Sequence, residues 1–243
     1  MPYGKQGLFN HNFLCIKFLI MMDRLPLYIY LIFGFTALLT IVIFYKASQN
    51  SKPFLFITLA WICILAFLSL SDHDTLTKSL LPIFPLITIP PALLVIVIFF
   101  TKKGKEFVRS LNIKTLMILH FVRILIELGL FCLAVYKVVP VLLTFEGRNW
   151  DILIGISAFA IYYFGFVRFK LNKPVILIWN VIGLAFLFNI VFNTVYTVLV
   201  LKPINFALGY FPFFLLPSLI VPLVMFSHLA SIKQILSNKI IQK

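Results

Sequence analysis

The sequence is poor in charge, and poorest in acid. Seven Asp and Glu stand against 21 Lys and Arg in 243 residues, and charged side chains make up only 12% of the chain, about half the share of an ordinary soluble domain. With 62% hydrophobic residues and a mean hydropathy of +1.09, there is too little polar surface to clothe a water-soluble fold, which is excluded. Cysteine is scarce as well. Cys15, Cys63 and Cys132 stand in apolar stretches with no paired spacing and no C-x-x-C. They read as packing residues, neither a disulfide framework nor a metal site. The chain has no H-E-x-x-H, no G-x-S-x-G and no phosphate-cradling glycine loop, so the common hydrolase and nucleotide signatures are missing and no cofactor is expected. No period of 20 to 50 residues recurs and the halves show no inverted repeat, which argues against a two-fold repeat transporter. Residues 210–231 hold no lysine, so a retinal Schiff base in the last span is excluded.

What the chain does have is long apolar runs. A helix crossing the hydrocarbon needs about 20 mostly apolar residues at 1.5 Å rise each. Seven runs meet or approach this: 27–45, 53–70, 81–100, 115–139, 151–167, 174–200 and 210–231, the fifth being the shortest. Pro26, Pro53 and Pro174 stand at or beside starts, where a missing N–H costs a helix nothing, and Lys202 with Pro203 separates the last two runs. The expected fold is all-α, a polytopic membrane protein with seven transmembrane helices. Its basic residues lie in short connections rather than on one stripe, which speaks for topology and against nucleic acid as a partner. Connections after odd-numbered spans carry 13 Lys and Arg and the opposite side seven; five of the acids, Asp23, Asp72, Asp74, Glu146 and Asp151, fall on that second side. Positive loops stay in the cytoplasm, so the N-terminus is expected outside and the C-terminus inside, in the cell (inner) membrane, with the lipid bilayer as first partner.

Residues 1–26 form an N-terminal extension. Its apolar stretch 13–22 is short, carries Lys17 and lacks a small-residue cleavage site, so it is a poor signal peptide. Met21 and Met22 precede the first full run, and the segment reads as a mis-called start or an interfacial helix. Residues 27–231 are the seven-helix domain and 232–243 a basic cytoplasmic tail.

An ionisable group at mid-bilayer costs about 2.5 to 3.5 kcal/mol on insertion scales and asks for a partner or a purpose. Span four holds three, His120, Arg123 and Glu127, on one helical face, and Arg123 with Glu127 are an i, i+4 pair able to form a salt bridge. Two readings stand side by side. One is a binding or proton-handling site in which Arg123 holds an anionic group while Glu127 or His120 exchanges protons; the other is a structural ion pair beside an inert histidine. In span six Asn189 and Asn193 share a face, with Asn189 at the depth of Arg123 and Glu127, whereas Asn180 points elsewhere; interhelical hydrogen bonding is the plain reading for all three. Span seven carries Pro212, Pro217 and Pro222 at intervals of five, expected to kink it, as Pro90 and Pro91 are expected to break span three. His228 lies at the depth of His120 and either faces it or sits solvated at the interface. Asp72, His73 and Asp74 with Glu146 and Asp151 are the only metal candidates, and a solvated loop is preferred, so no metal is assigned.

The segment Thr144-Phe-Glu-Gly-Arg-Asn-Trp-Asp151, followed by Ile-Leu, and the segment Phe226-Ser-His-Leu-Ala-Ser-Ile232 resemble a group of bacterial seven-helix multi-pass membrane proteins to which no activity is assigned. The resemblance covers spans four to seven and implies no catalytic residues. It draws attention to Glu146, Arg148 and Asp151 of the outer loop, with Gly147 as turn residue and Asp151 as cap of span five. The expected function is binding or transport of a small solute or lipid at a polar site made of His120, Arg123, Glu127, Asn189 and His228. The alternatives are an intramembrane enzyme acting on a lipid or isoprenoid, with His120 or His228 as base, and a scaffold subunit of a membrane assembly.

Overall fold

Away from water a backbone must satisfy its own N–H and C=O groups, and a helix does so within a single segment. Each of the seven apolar runs contains helix, although residues 136–139 and 210–214 at the ends of two of them are turns. The computed structural model describes residues 25–71, 80–203 and 206–237; the N-terminal segment 1–24 and the Asp72, His73 and Asp74 loop lie outside the described residues. The helices are α1 (Leu27–Ala47), α2 (Lys52–Ser71), α3 (Leu80–Phe100), α4 (Lys102–Ser110), α5 (Ile113–Leu119), α6 (Val122–Val135), α7 (Asp151–Tyr162), α8 (Lys173–Tyr196) and α9 (Val221–Leu236). Wider π turns prolong α7 to Val167 and α8 to Leu201, and another, Leu216–Ile220, leads into α9. No strand occurs among the described residues.

Four helical stretches are long and apolar enough to cross a membrane: Leu27–Ala47, Ile113–Val135, Lys173–Leu201 and Leu216–Leu236. A fifth is added if α3 and α4, bent by 92° at Thr101, are one span, while Lys52–Phe67 and Asp151–Val167 are shorter apolar helices. These features fit a membrane protein. So does the surface: α1 exposes Leu27, Leu31, Phe35, Leu38 and Val42 along one side and buries Thr36 and Thr40 on the other. That inverts a soluble helix, because hydrocarbon accepts the apolar side and hydroxyls must be paired, here to the Ile32 and Thr36 carbonyls at 2.6 and 2.7 Å.

Proline decides two boundaries differently from the expectation. Pro212 precedes the last helix, Pro217 opens its π turn and Pro222 sits in the first turn of α9. Pro212 and Pro217 thus stand before and in the first turn of this helical stretch, where an absent N–H is harmless, whereas Pro222 falls where the π turn passes into α9, and the helix runs on past Ser231 to Leu236. Lys233 enters only in its last turn, with its ammonium 5.1 Å from the Phe99 ring centre. In α3 the expected break is not seen. Pro85, Pro90 and Pro91 all lie inside a continuous helix, so the lost donors thin its hydrogen-bond ladder without ending it.

Span four is the hub. Its two parts, α5 and α6, pack against α1, α7 and α9. The packing is close where side chains are small: a Cβ on Gly129 would meet the Phe33 ring at 2.7 Å, and one on Gly155 would meet Ile124 Cγ1 at 2.8 Å. At one end of the bundle Gln234 donates to the Val108 and Leu111 carbonyls at 2.6 and 3.0 Å, tying α9 to α4 and the turn after it. Phe226 is ringed by Phe44, Phe99 and Phe107 at 5.3 to 6.2 Å.

Candidate functional site

Between α5 and α6 the helix tightens. His120 N donates to Met117 O, Phe121 N to Ile118 O and Arg123 N to His120 O, each a three-residue step at 3.0 to 3.3 Å. A 3₁₀-like turn stacks residues three apart, so His120 and Arg123 project together, near the middle of Ile113–Val135. Arg123 is 1% exposed and is the largest fully buried side chain.

Its guanidinium is divided among three elements. Nη2 donates to the Gly183 carbonyl of α8 at 3.1 Å and pairs with Asp151 Oδ2 of α7 at 3.2 Å, and Nη1 donates to His228 Nε2 of α9 at 3.2 Å. This corrects the expected ion pair: Arg123 bonds Asp151, and Glu127 is held instead by Asn149. The loop 136–150 shows the arrangement. There Asn149 Oδ1 accepts the Asp151 N–H at 3.2 Å, and the Asp151 carboxylate, expected to cap the helix, reaches Arg123 instead, leaving α7 without a side-chain cap at Trp150. The Asn149 amide donates both to Glu127 Oε1 and to the Leu143 carbonyl. Within the loop Asn149 and Asp151 are buried, whereas Glu146 and Arg148 are exposed. Gly147 does serve the turn, for a Cβ there would strike the Val141 carbonyl and Leu142 Cα.

His228 is fully buried rather than solvated at an interface. Arginine offers no acceptor, so His228 Nε2 takes the Arg123 hydrogen with its lone pair and its proton resides on Nδ1, facing Asn180 Oδ1 at 3.0 Å. Asn180, expected to point elsewhere, thus belongs to the cluster, and its amide donates to the Ile176 carbonyl at 2.8 Å. His120 stacks on His228 with ring centres 3.8 Å apart and planes 19° from parallel; its Nε2 is 3.3 Å from Ser227 Oγ, and Trp179 meets it edge-on at 5.4 Å. Gly183 makes room for this arrangement, since a Cβ would press into the His228 ring. Asn189 is not part of it. That residue is exposed and donates to the Arg148 carbonyl at 2.6 Å, while Asn193 donates to it in turn at 3.3 Å.

Beside this cluster lies a cavity of about 250 Å³. Its walls are apolar side chains of α3, α6, α8 and the stretch 216–225, and its polar lining includes Arg123, Glu127, Asn149 and Asp151. Ile89 on α3 with Phe188 and Val195 on α8 belong to both the lining and the exposed surface, so the mouth opens on the flank of the bundle. Glu127 Oε2, Asp151 Oδ1 and Arg123 Nε have no protein partner. His120, Ser227 and His228 are outside the lining, and Glu127 makes no hydrogen bond to either histidine. No group of three metal-ligating side chains occurs among the described residues.

The sequence reading missed Asn149, Gly183 and the role of Asn180. The signal for Asn149 was its place two residues before the helix start at Asp151. Comparison with known protein families, with curated protein sequences and with solved structures finds no match for the chain.

Proposed function

We propose that the chain is a multi-pass protein of the cell (inner) membrane, with seven spans, N-terminus out and C-terminus in, that binds or carries a small solute or lipid-like molecule in the cavity beside Arg123. One observation carries this: an apolar cavity of about 250 Å³ whose polar lining includes buried carboxylates with free oxygens. A purely structural ion pair would close on itself and leave no lined space. Apolar walls with a few convergent polar groups are what a ligand site presents, and ionisable groups in a span mark function more often than packing. The seven spans count α2 and α7 as crossing, and the orientation rests on the Lys and Arg distribution.

Native mass spectrometry of gently extracted protein is expected to find a retained small molecule that is lost from Ala92→Trp, which fills the cavity from α3. No bound mass, no thermal shift with anions, amino acids, amines or lipids, and no flux in liposomes would overturn the reading. For topology, a reporter active only in the cytoplasm is expected to give signal when fused after Lys105 or Lys243 and none after Glu146; signal after Glu146 would mean a miscounted span.

A further inference from the structure

The charges around the cavity do not balance. Arg123 supplies one positive charge, and His228, which must accept from it, is neutral. Asp151 and Glu127 together supply two negative charges when ionised. Both are buried, at 6% and 1% exposure, and each keeps one oxygen without a protein partner on residues that line the cavity. An uncompensated charge in such surroundings is costly, so with both carboxylates ionised the site is short of one positive charge. Arg123 has already committed both Nη2 hydrogens and one Nη1 hydrogen to protein acceptors. Its Nε–H and one Nη1 hydrogen remain unbonded to protein, but its single positive charge is already matched by Asp151, so an incoming anion would add to an excess of negative charge.

We infer that the cavity takes an amphiphile with a protonated amine head, and that this cation occupies the site in exchange for a proton on Glu127. The inference rests on the cavity being a ligand site, as proposed above. When the cavity is empty, a proton on Glu127 Oε2 makes the Arg123, Asp151 and Glu127 set neutral. When the ammonium enters, its N–H groups donate to Glu127 Oε2 and Asp151 Oδ1, the Glu127 proton leaves, and one positive charge replaces another. The alkyl part lies against the walls formed by Phe84, Ile89, Leu187 and Val191. The charged and titratable groups around Glu127 are few: Arg123 on its own helix, Asp151 on α7, and the stacked His120 and His228 beyond Arg123. The other polar lining from α3 and α8 is Thr88 and Thr194, which do not titrate.

Three chain-matched probes, hexylammonium, hexanol and hexanoate, test this on the purified full chain by calorimetry. Hexylammonium is expected to bind at least about tenfold more tightly than either analogue, because charge-assisted hydrogen bonds are roughly twice as strong as neutral ones. Its affinity is expected to fall by about tenfold per pH unit as Glu127 protonates, with one proton released per cation, read from heats in buffers of different ionisation enthalpy. Glu127→Gln, which keeps an acceptor for Asn149, is expected to retain hexanol binding and lose both the pH slope and the preference for the ammonium. Tightest binding of hexanoate, equal binding of hexanol and hexylammonium, or cation binding with no proton release would overturn the inference and leave the ligand site standing. If no probe binds and native mass spectrometry finds no retained molecule, the site reading falls and this inference with it. Should Glu127→Gln not fold, proton release by the wild-type chain decides alone.

Discussion

Two polar neighbourhoods meet at Arg123, and they are built on opposite terms. On one side His228, Asn180 and the Gly183 carbonyl form a closed set: both His228 nitrogens are bonded, the Asn180 oxygen and amide are bonded, and His228 and Asn180 lie outside the cavity lining. On the other side Asp151, Glu127 and Asn149 line open space and leave two carboxylate oxygens unbonded. A completed network specifies and stiffens a core, whereas a half-completed one is a liability unless something else completes it. The difference separates the part of span four that holds helices together from the part that borders the cavity.

The sharpest way to break this comparison is to remove the residue the two sides share. Arg123→Leu is expected to cost about 3 to 5 kcal/mol, because it strands Asp151 as a buried charge. Adding Asp151→Leu is expected to restore much of that loss, since apolar residues can replace a whole ion pair. In denaturant unfolding from detergent, a double-mutant cycle is expected to give a larger coupling for Arg123 with Asp151 than for Arg123 with Glu127; equal couplings would erase the distinction. Next in size is Gly183→Ala, whose methyl would enter the His228 ring and is expected to cost about 1 to 3 kcal/mol by overpacking. A variant as stable as wild type would mean that α8 and α9 slide apart freely and the closed side is not closed. Asn180→Leu follows, at about 1 to 3 kcal/mol for leaving His228 unsatisfied, against less than about 0.5 kcal/mol for Asn189→Leu on the exposed face. Identical melting of these two variants would put Asn180 outside the network. The smallest stability change, under about 1 kcal/mol, is expected for Glu127→Gln, which keeps an acceptor for Asn149 and is as neutral as the protonated Glu127 of the empty cavity; a large loss would mean that Glu127 is structural.

Apolar runs long enough to be helices are read directly from composition, because hydrocarbon leaves the backbone few options. The face formed by His120, Arg123 and Glu127 was legible for the same reason, since helical periodicity is local. Partners on other helices were not. An i, i+4 spacing nominates Glu127 for Arg123, yet the ion pair went to Asp151, 28 positions away, while Glu127 is held by Asn149. Asn180 and Asn189 illustrate the same limit. Depth along span six favoured Asn189, but which asparagine meets His228 depends on the rotation of α8 against α9, and that rotation is set in part by a glycine, Gly183, whose importance lies in the space it leaves.

Trp179 has a consequence in light. Its indole nitrogen donates to Ser157 Oγ at 2.9 Å, and its ring stands edge-on to His120, which stacks on His228. An excited indole passes an electron readily to an imidazolium and poorly to a neutral imidazole, so Trp179 emission reports the protonation of the histidine stack from within. Trp61 and Trp150 sit elsewhere, against the Ser218 carbonyl and the Phe186 ring. Replacing both with phenylalanine would leave a single emitter beside the buried pair, bright while the stack stays neutral and quenched as soon as it takes up a proton.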